Sequence, residues 1–233
     1  MVLTEELVLK VLANVKIEIR NFAAVYIFRN SNDVFKALIV TILTQNTNDR
    51  NALRAYENLV NMLGEITPQS IIEVGEEVIA KAIRPAGMYR VRARKIVELA
   101  KVVIERFGGD FSWVSNLSVE DARKKLLELP GVGEKTADVI LVNLGKLAFP
   151  VDTHITRISL RLGIARSKRY SEIRNAWMKI LTPDPHRYLD VHLRLIQFGR
   201  DICRARSPRC NMCGFKNVCN YYNERVRRIN EDC

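Results

Sequence analysis

Two helical patterns near the middle of the chain are separated by only four residues, and this separation strongly limits how the chain can fold. Residues 118–129 and 134–144 both place apolar side chains at helical spacing, which gives each helix one buried face. The four residues from Pro130 to Gly133 must therefore reverse the chain so that the two buried faces can meet. The sequence predicts a tight helix–hairpin–helix at this point.

Helical spacing recurs along most of the chain, and no stretch shows a convincing strand alternation. Proline and glycine residues, Pro68 among them, break the chain between the helical segments, and Ser118 with Asp121 resembles a capping box. The predicted helices are residues 4–21, 33–45, 49–63, 90–107, 118–129, 134–144, 153–163, 171–181 and 187–202. The predicted fold class is all-α, and 233 residues suffice for one large domain or two small ones.

Composition argues against a disordered or membrane-spanning chain. Hydrophobic residues make up 48% of the sequence, which is typical of a globular protein. The longest apolar run, within FKALIVTIL, is too short to cross a bilayer. The N-terminus carries acidic residues early and lacks the apolar core of a signal peptide. We expect an intracellular protein, in the cytoplasm or on the nucleoid, with no membrane partner.

The charge of the chain suits a polyanionic partner. It contains 37 Lys+Arg against 26 Asp+Glu, a net charge of +11. Between His186 and Arg228 there are ten basic residues and three acidic ones. Such a region is often only a solvated surface, but here it coincides with a group of cysteines.

All five cysteines lie within the last 31 residues. Disulfides are rare in intracellular proteins, so metal binding is the leading interpretation. Four of them form the pattern C-x6-C-x2-C-x5-C, namely Cys203, Cys210, Cys213 and Cys219. Their number suits either tetrahedral zinc or a four-iron cluster, and the residues alone leave that choice open. Cys233 lies outside the pattern and is interpreted as a spare thiol.

The loop RARSPR lies between the first two of these cysteines and contains Arg204, Arg206 and Arg209. If metal fixes both of its ends, the loop presents its cations to phosphates with a smaller loss of entropy on binding.

The hairpin itself is a candidate anion site. Gly131 and Gly133 are expected to adopt positive φ and to let the backbone approach a partner closely. The next helix would then offer free N–H groups to a phosphate. Steric turn glycines are the alternative interpretation. GVGEKT is not a nucleotide-binding P-loop, because Glu134 occupies the position of the glycine before the lysine and no strand precedes it.

Lys135 follows the hairpin, at the positive end of a helix dipole, which is a poor position for a cation. Partial desolvation there would lower the pKa of its amine and make it a nucleophile suited to Schiff-base chemistry. The chain can bring Asp152 back to it, because the helix rises about 16 Å and the link to Asp152 can extend about 25–28 Å. On spacing alone, the favoured alternative is an N-cap aspartate in a structural ion pair with a surface lysine.

Three stretches together resemble the endonuclease III family of helix–hairpin–helix DNA glycosylases: LPGVGEKTADVIL, VDTHITR and CRARSPRCNMCGFKNVC, in family order. The resemblance implies a [4Fe–4S] cluster on the four cysteines. It also implies that Lys135 is the catalytic nucleophile and Asp152 its acidic partner. The implied ligand is double-stranded DNA containing a damaged base or an abasic site, with the target nucleotide flipped out of the helix.

The resemblance also implies residues that contact DNA. Gln45 and Met88 match positions that fill the gap left by the flipped base, although a capping Gln and a core Met are the alternatives. Arg90, with Arg92 and Arg94, would follow the DNA backbone or simply form a solvated helix face. The remaining implied contacts are Gly131, Val132, Gly133, Arg204, Arg206 and Arg209.

The implied architecture has two helical domains. A six-helix domain is expected at residues 28–146, and residues 1–27 plus 147–233 are expected to form a discontinuous domain that carries the cluster. The active site is expected in the cleft between them, and the protein is expected to be a monomer.

The preferred hypothesis is a bifunctional DNA glycosylase and abasic-site lyase acting on oxidised pyrimidines, because relatives that use water generally lack a lysine at the position of Lys135. The alternative is a glycosylase that removes mismatched thymine or uracil. An adenine glycosylase is less favoured because the chain ends soon after the cysteines. A non-catalytic DNA-binding protein is also less favoured, since it leaves Lys135 and Asp152 without a role.

Overall fold

The computed structural model describes residues 2–224, and within this range the chain contains helices and no strand. The predicted all-α fold class is therefore confirmed. The α-helices are α1 Glu5–Ala13, α2 Ala23–Ser31, α3 Val34–Thr44, α4 Asp49–Leu63, α5 Pro68–Ala82, α6 Tyr89–Phe107, α7 Ser112–Asn116, α8 Val119–Leu127, α9 Glu134–Asn143, α10 Thr153–Leu162, α11 Tyr170–Ile180 and α12 Pro185–Asp201. Single 3-10 turns occur at Ile19–Asn21, Arg84–Ala86, Cys210–Met212 and Lys216–Val218.

Three helices were not predicted from the sequence, namely α2, α5 and α7. The sequence predicts a break at Pro68, but this residue occupies the first turn of α5, where proline is favoured, and Thr67 and Ser70 on either side of it form a capping box. Gly75, with a φ of 73°, then interrupts the helical backbone inside α5. The predicted helix 4–21 was too long, because α1 ends at Ala13.

The chain divides into two compact units, with boundaries between Ile17 and Glu18 and between Lys146 and Leu147. Residues 18–146 form one unit, and the described residues on either side form the other. This division uses the chain discontinuously, and its first boundary follows residue 17 rather than 27. α1 stays with the outer residues because Arg194 in α12 donates to the carbonyl oxygens of Leu12 and Val15 at 3.1 and 2.8 Å.

The unit of residues 18–146 is built around α3. Nine of the 11 residues of this helix are buried, as expected for a helix that is apolar on every side. It packs against α2, α4, α6 and α9. Its apolar run therefore belongs to the core of a helical domain. No helix within residues 2–224 is long and apolar enough to cross a membrane.

The predicted helix–hairpin–helix is formed by α8 and α9. The two helices are joined by a buried ion pair in which Arg123 Nε lies 2.7 Å from Asp138 Oδ1, and Asp138 is fully buried. The α8 cap departs from the expected capping box. Ser118 Oγ accepts from the amide of Asp121 at 3.1 Å, but the Asp121 carboxylate accepts from the hydroxyl of Ser118 rather than from its backbone amide.

The other unit contains α1, α10, α11, α12 and the cysteine loop. Its core holds Phe149, Trp177 and Tyr188, which are fully buried and pack ring against ring. Trp177 Nε1 donates to Ser159 Oγ at 2.8 Å, which fixes α11 against α10. This packing positions the start of α10, where Asp152 lies.

Candidate active site and cysteine cavity

The hairpin turn uses its two glycines differently. Gly131 has a φ of 78°, in the left-handed region that favours glycine, as predicted. Gly133 has a φ of −105° and a ψ of −179°, which is ordinary extended backbone, so the expectation of positive φ there is wrong. The connection is also longer than predicted, since α8 already ends at Leu127. Val132 is buried, so it can offer DNA little more than its backbone.

Gly131 is held tightly against the C-terminal end of α3. A Cβ added to this glycine would lie 3.2 Å from Ile42 Cδ1, so a larger residue would crowd the contact. Gln45, the C-cap of α3, donates from Nε2 to the carbonyl oxygen of Gly131 at 3.0 Å. The turn is therefore held by an apolar contact with Ile42 and by a hydrogen bond from Gln45.

The first turn of α9 opens toward solvent. Its N-cap is Gly133, which has no side chain to cap the first amides, and helical bonding begins with the amide of Ala137 donating to Gly133 O at 2.9 Å. Glu134 and Lys135 are both exposed. The partial desolvation expected for Lys135 is therefore absent in the free protein. An anion at this helix end would meet free amides and the lysine together.

Gln45 and Met88 lie in the same unit and differ in exposure. Gln45 is half-buried, with its amide bound to the hairpin. Met88 is 60% exposed, so the alternative of a core methionine is wrong. It precedes α6 with a φ of 45°, a left-handed conformation that is uncommon for methionine. Arg90, two residues further on, is also exposed.

Arg92 is buried, which contradicts the expectation that it follows the DNA backbone. Its guanidinium donates to backbone carbonyl oxygens of Ile42, Gln45, Ala86 and Gly87. Burial lowers the pKa of Arg92 below its ordinary value. Little in the sequence indicates this role, because three arginines at alternate positions cannot all share one helix face and nothing marks which of them is buried.

Asp152 is the N-cap of α10, and its two carboxylate oxygens have different partners. Its Oδ1 accepts from the amide of Ile155 at 2.8 Å, and Oδ2 lies 2.8 Å from Nδ1 of His154. The capping role proposed as its structural alternative is therefore confirmed. Burial is the largest influence and alone raises the pKa of this carboxyl. The hydrogen bonds from His154 and Ile155 and the charges of His192 and His154 outweigh it, so the pKa falls to about 2.

The lowered pKa has a defined effect on stability. The folded-state pKa lies below the ordinary value of 3.8, so ionisation of Asp152 stabilises the fold, and this stabilisation is complete at pH values above 3.8. This contribution is lost as the pH falls through about 2. At neutral pH the carboxylate is fully ionised.

Two histidines beside Asp152 were not identified from the sequence. His154 packs against α12, where a Cβ added to Gly199 would lie 2.8 Å from His154 Cβ. His192 is buried, with Nδ1 at 2.8 Å from the carbonyl oxygen of Pro150. A histidine two residues after an N-cap aspartate was a usable signal for the first, whereas nothing in the sequence links His192 to Asp152. Lys135 belongs to the unit of residues 18–146 and Asp152 to the other unit, so their pairing stays a prediction.

The four cysteines of the C-x6-C-x2-C-x5-C pattern line one cavity, together with Arg161, Tyr221 and other residues. Burial raises the pKa of the Cys213 thiol to about 11, and the nearby sulfurs of the other three cysteines contribute to this. Burial also raises the pKa of Cys219. Thiols packed this closely resist ionisation unless a cation joins them.

Residues 2–224 contain no group of three or more His, Cys, Asp or Glu side chains close enough to hold a metal ion. A single zinc ion needs all of its sulfur ligands about 2.3 Å away. In a four-iron cluster each cysteine binds its own iron, so the sulfurs stand further apart. Four cysteines can therefore line one cavity without lying close enough together to bind a single metal ion.

The loop that carries the cysteines is anchored on both sides. Phe215 is buried against Phe198, with ring centroids 5.4 Å apart. Gly214 packs on α1 so closely that an added Cβ would lie 2.7 Å from Val11. Arg157 donates to the carbonyl oxygen of Cys203 at 2.9 Å.

The three arginines of the RARSPR loop differ in exposure. Arg204 is half-buried, and its Nη2 donates to the carbonyl oxygen of Ser207 at 3.0 Å. Arg206 and Arg209 are exposed. Cys233, interpreted as a spare thiol, and the basic residues after Glu224 lie outside the described residues.

The chain is similar in sequence to DNA repair proteins. The sequence model of the HhH-GPD superfamily base excision DNA repair proteins matches residues 39–183, which include the hairpin, Lys135 and Asp152. Endonuclease III of Thermotoga maritima is 37% identical over 83% of this chain and 85% of its own length. Endonuclease III of Sulfolobus acidocaldarius is 33% identical over 97% of this chain and 99% of its own length. The chain therefore belongs to the endonuclease III family of the HhH-GPD superfamily.

Solved structures agree with this assignment. A trapped endonuclease III–DNA covalent intermediate is similar with a TM-score of 0.74 and 29% identity, covering 97% of this chain and all of the other. A thermostable thymine-DNA glycosylase has the same TM-score at 24% identity over 94% of each chain, which shows a shared fold.

The two hairpin glycines provide a matched pair of variants. Gly131→Ala should lower the free energy of unfolding by about 2 kcal/mol, because alanine is strained at positive φ and its Cβ crowds Ile42. Gly133→Ala should lower it by less than about 1 kcal/mol, because its backbone is extended and nothing lies within 4 Å of the added Cβ. Urea unfolding of both variants measures the difference. Equal losses would contradict the different roles of the two glycines.

Proposed function

We propose that this chain is a base excision repair DNA glycosylase with abasic-site lyase activity, and that Lys135 is its nucleophile. The observation that carries the proposal is the position of Lys135, an exposed amine in the uncapped first turn of the helix that follows the Gly131 hairpin. The similarity to a trapped endonuclease III–DNA covalent intermediate supports a reaction that passes through a covalent bond.

The proposed reaction begins with attack of the Lys135 amine on C1′ of the target nucleotide. The bond from Nζ to C1′ forms as the glycosidic bond breaks, and the base leaves with the bonding electrons and takes up a proton. The proton lost from Nζ is taken up by O4′ as the C1′–O4′ bond breaks and the sugar ring opens, which leaves a protonated imine. A proton is then removed from C2′, the 3′ phosphate leaves by β-elimination, and hydrolysis of the imine returns the free lysine.

Because Lys135 is exposed, its amine is open to a nucleotide brought to the first turn of α9. Bound duplex is proposed to cover this turn and to exclude water from the amine.

Asp152 is proposed to act on the same sugar through its charge. With a pKa of about 2 its carboxylate is a weak base, so proton abstraction suits it poorly. A fixed negative charge, held by His154 and the Ile155 amide, instead stabilises the positive charge that develops on the sugar as the base leaves.

Several residues are proposed to hold the DNA. The hairpin backbone of Gly131 to Gly133 and the first amides of α9 bind a phosphate. Met88, exposed and apolar, and Gln45 fill the space left by the flipped nucleotide. The exposed cations proposed to contact phosphates are Arg90, Arg206 and Arg209, whereas half-buried Arg204 acts mainly within its own loop.

A [4Fe–4S] cluster is proposed to be held by Cys203, Cys210, Cys213 and Cys219, since four thiols that line one cavity provide the donor set for it. When bound, the cluster would supply a cross-link that clamps the arginine loop. Burial of the Cys213 and Cys219 thiols means that metal binding must release protons from them.

Oxidised pyrimidines are the proposed substrates, and the protein is proposed to act as a monomer inside the cell. Mismatched thymine or uracil is the alternative substrate, and the thymine-DNA glycosylase of the same fold makes it worth testing beside them. Family membership favours an enzyme over a DNA-binding protein without catalysis.

Borohydride trapping on a duplex with an abasic site tests the role of Lys135, and base release from a duplex with an oxidised pyrimidine tests the role of Asp152. Lys135→Gln should reduce covalent trapping by roughly a hundredfold or more, because no amine remains to form the imine. Asp152→Asn should reduce base release by a similar factor while duplex binding and folding persist, since asparagine caps helices as well as aspartate does. Gel analysis of trapped complexes and of base release measures both.

Lys124→Gln is the matched control, because Lys124 is exposed on α8 and takes no proposed part in the reaction. Full trapping by the Lys135 variant would remove this residue from the mechanism. Unfolding of the Asp152 variant, instead of loss of base release, would leave Asp152 with its capping role alone.

Metal analysis with a visible spectrum tests the cluster. Protein purified without oxygen should be brown and contain about four iron atoms per chain. Cys210→Ser should lose the colour and most of the iron, whereas Cys233→Ser, outside the cysteine pattern, should keep both. A colourless protein with one zinc ion would overturn the assignment.

A further inference from the structure

A single buried guanidinium joins two segments that are far apart in the sequence. Arg92 Nε donates to the carbonyl oxygen of Ile42 at 3.2 Å, and its Nη2 donates to the carbonyl oxygen of Gln45. Its Nη1 donates to the carbonyl oxygens of Ala86 and Gly87. The first pair of acceptors ends α3, and the second pair leads into α6 through Met88.

Electrostatics explains why an arginine is tolerated there. Arg92 lies near the start of α6, where the helix dipole disfavours a cation, and only 4% of the residue is exposed. The carbonyl groups at the end of α3 carry the negative end of that helix dipole and offset this cost. The planar fork of guanidinium donors reaches four acceptors on two segments, which the compact ammonium of a lysine cannot do.

Two non-glycine residues beside these acceptors have left-handed backbone conformations. Asn46 follows Gln45 with a φ of 54°, and Met88 follows Gly87 with a φ of 45°. Such conformations persist only where the surrounding structure imposes them. The hydrogen bonds of Arg92 to the carbonyls of Gln45 and Gly87 supply that constraint on both segments at once.

We infer that Arg92 is a positioning residue that fixes the Gln45 segment and the Met88 segment relative to each other, so that both side chains enter the duplex together. The inference rests on the proposed function, in which Gln45 and Met88 fill the gap beside the flipped nucleotide. Arg92 itself does not touch DNA and acts through these two residues.

A double-mutant cycle on the full chain tests the inference. Arg92→Met is made in the wild-type background and in the background Gln45→Ala/Met88→Ala. The single-turnover rate of strand cleavage is measured on a duplex with one abasic site. Arg92→Met should lower the rate at least tenfold in the wild-type background and less than twofold where both inserting side chains are already truncated.

Arg106→Met is the matched control, because Arg106 lies at the other end of α6 and pairs with Glu128 at the surface. It should change the rate less than twofold in either background. Thermal unfolding of each variant is recorded alongside. Arg92→Lys, which keeps the charge and some of the hydrogen bonds, should give an intermediate rate.

If Arg92→Met does not fold, Gly87→Ala replaces it in the cycle. This change keeps Arg92, and the added Cβ makes only an ordinary contact with Arg92 Nη1 at 3.9 Å, but alanine is strained at a φ of 69°, so the Met88 segment must shift. Gly87→Ala should lower the rate of strand cleavage in the wild-type background and change it less than twofold in the background Gln45→Ala/Met88→Ala.

The outcomes separate the inference from the proposed function. Equal rate losses in both backgrounds, or a wild-type rate for Arg92→Met, would overturn the positioning role while the lyase activity stands. An inactive wild-type protein would contradict the proposed function and the inference with it.

Discussion

The contact between the Gly131 turn and the end of α3 is the constraint on which the arrangement of residues 18–146 depends. Ile42 fills the space that a Cβ on Gly131 would need, and Gln45 binds the carbonyl of the same residue. Arg92 then binds the carbonyls of Ile42 and Gln45 and continues the connection to Gly87. The hairpin, Gln45 and the Met88 segment are thereby fixed to one helix end.

The two proposed catalytic groups are prepared in opposite ways. Lys135 stands exposed in the first turn of α9, and the substrate is proposed to exclude water from it. Asp152 is held ionised by an N-cap hydrogen bond and by His154 before any substrate arrives. A permanent fixed charge needs no reorganisation during the reaction, which favours electrostatic stabilisation of the sugar.

Much of this followed from local patterns in the sequence. The all-α fold, the hairpin, the positive φ of Gly131 and the N-cap role of Asp152 each depend on neighbours within a few residues. The errors arose where contacts distant in the chain decide the outcome. The burial of Arg92, for example, depends on the carbonyls of Ile42 and Gln45, about 50 residues away. Pro68 was misread because a helix start and a break between helices use the same residue.

The central claim is that the amine of Lys135 forms the bond to DNA, and mapping that bond tests it most directly. Wild-type protein is reduced with borohydride on an abasic-site duplex, digested with nuclease and trypsin, and examined by mass spectrometry. The account predicts that the sugar remnant lies on a peptide of residues 126–146 with Lys135 modified and uncleaved. A remnant on the N-terminal amine or on another lysine, with Lys135 unmodified, would contradict it.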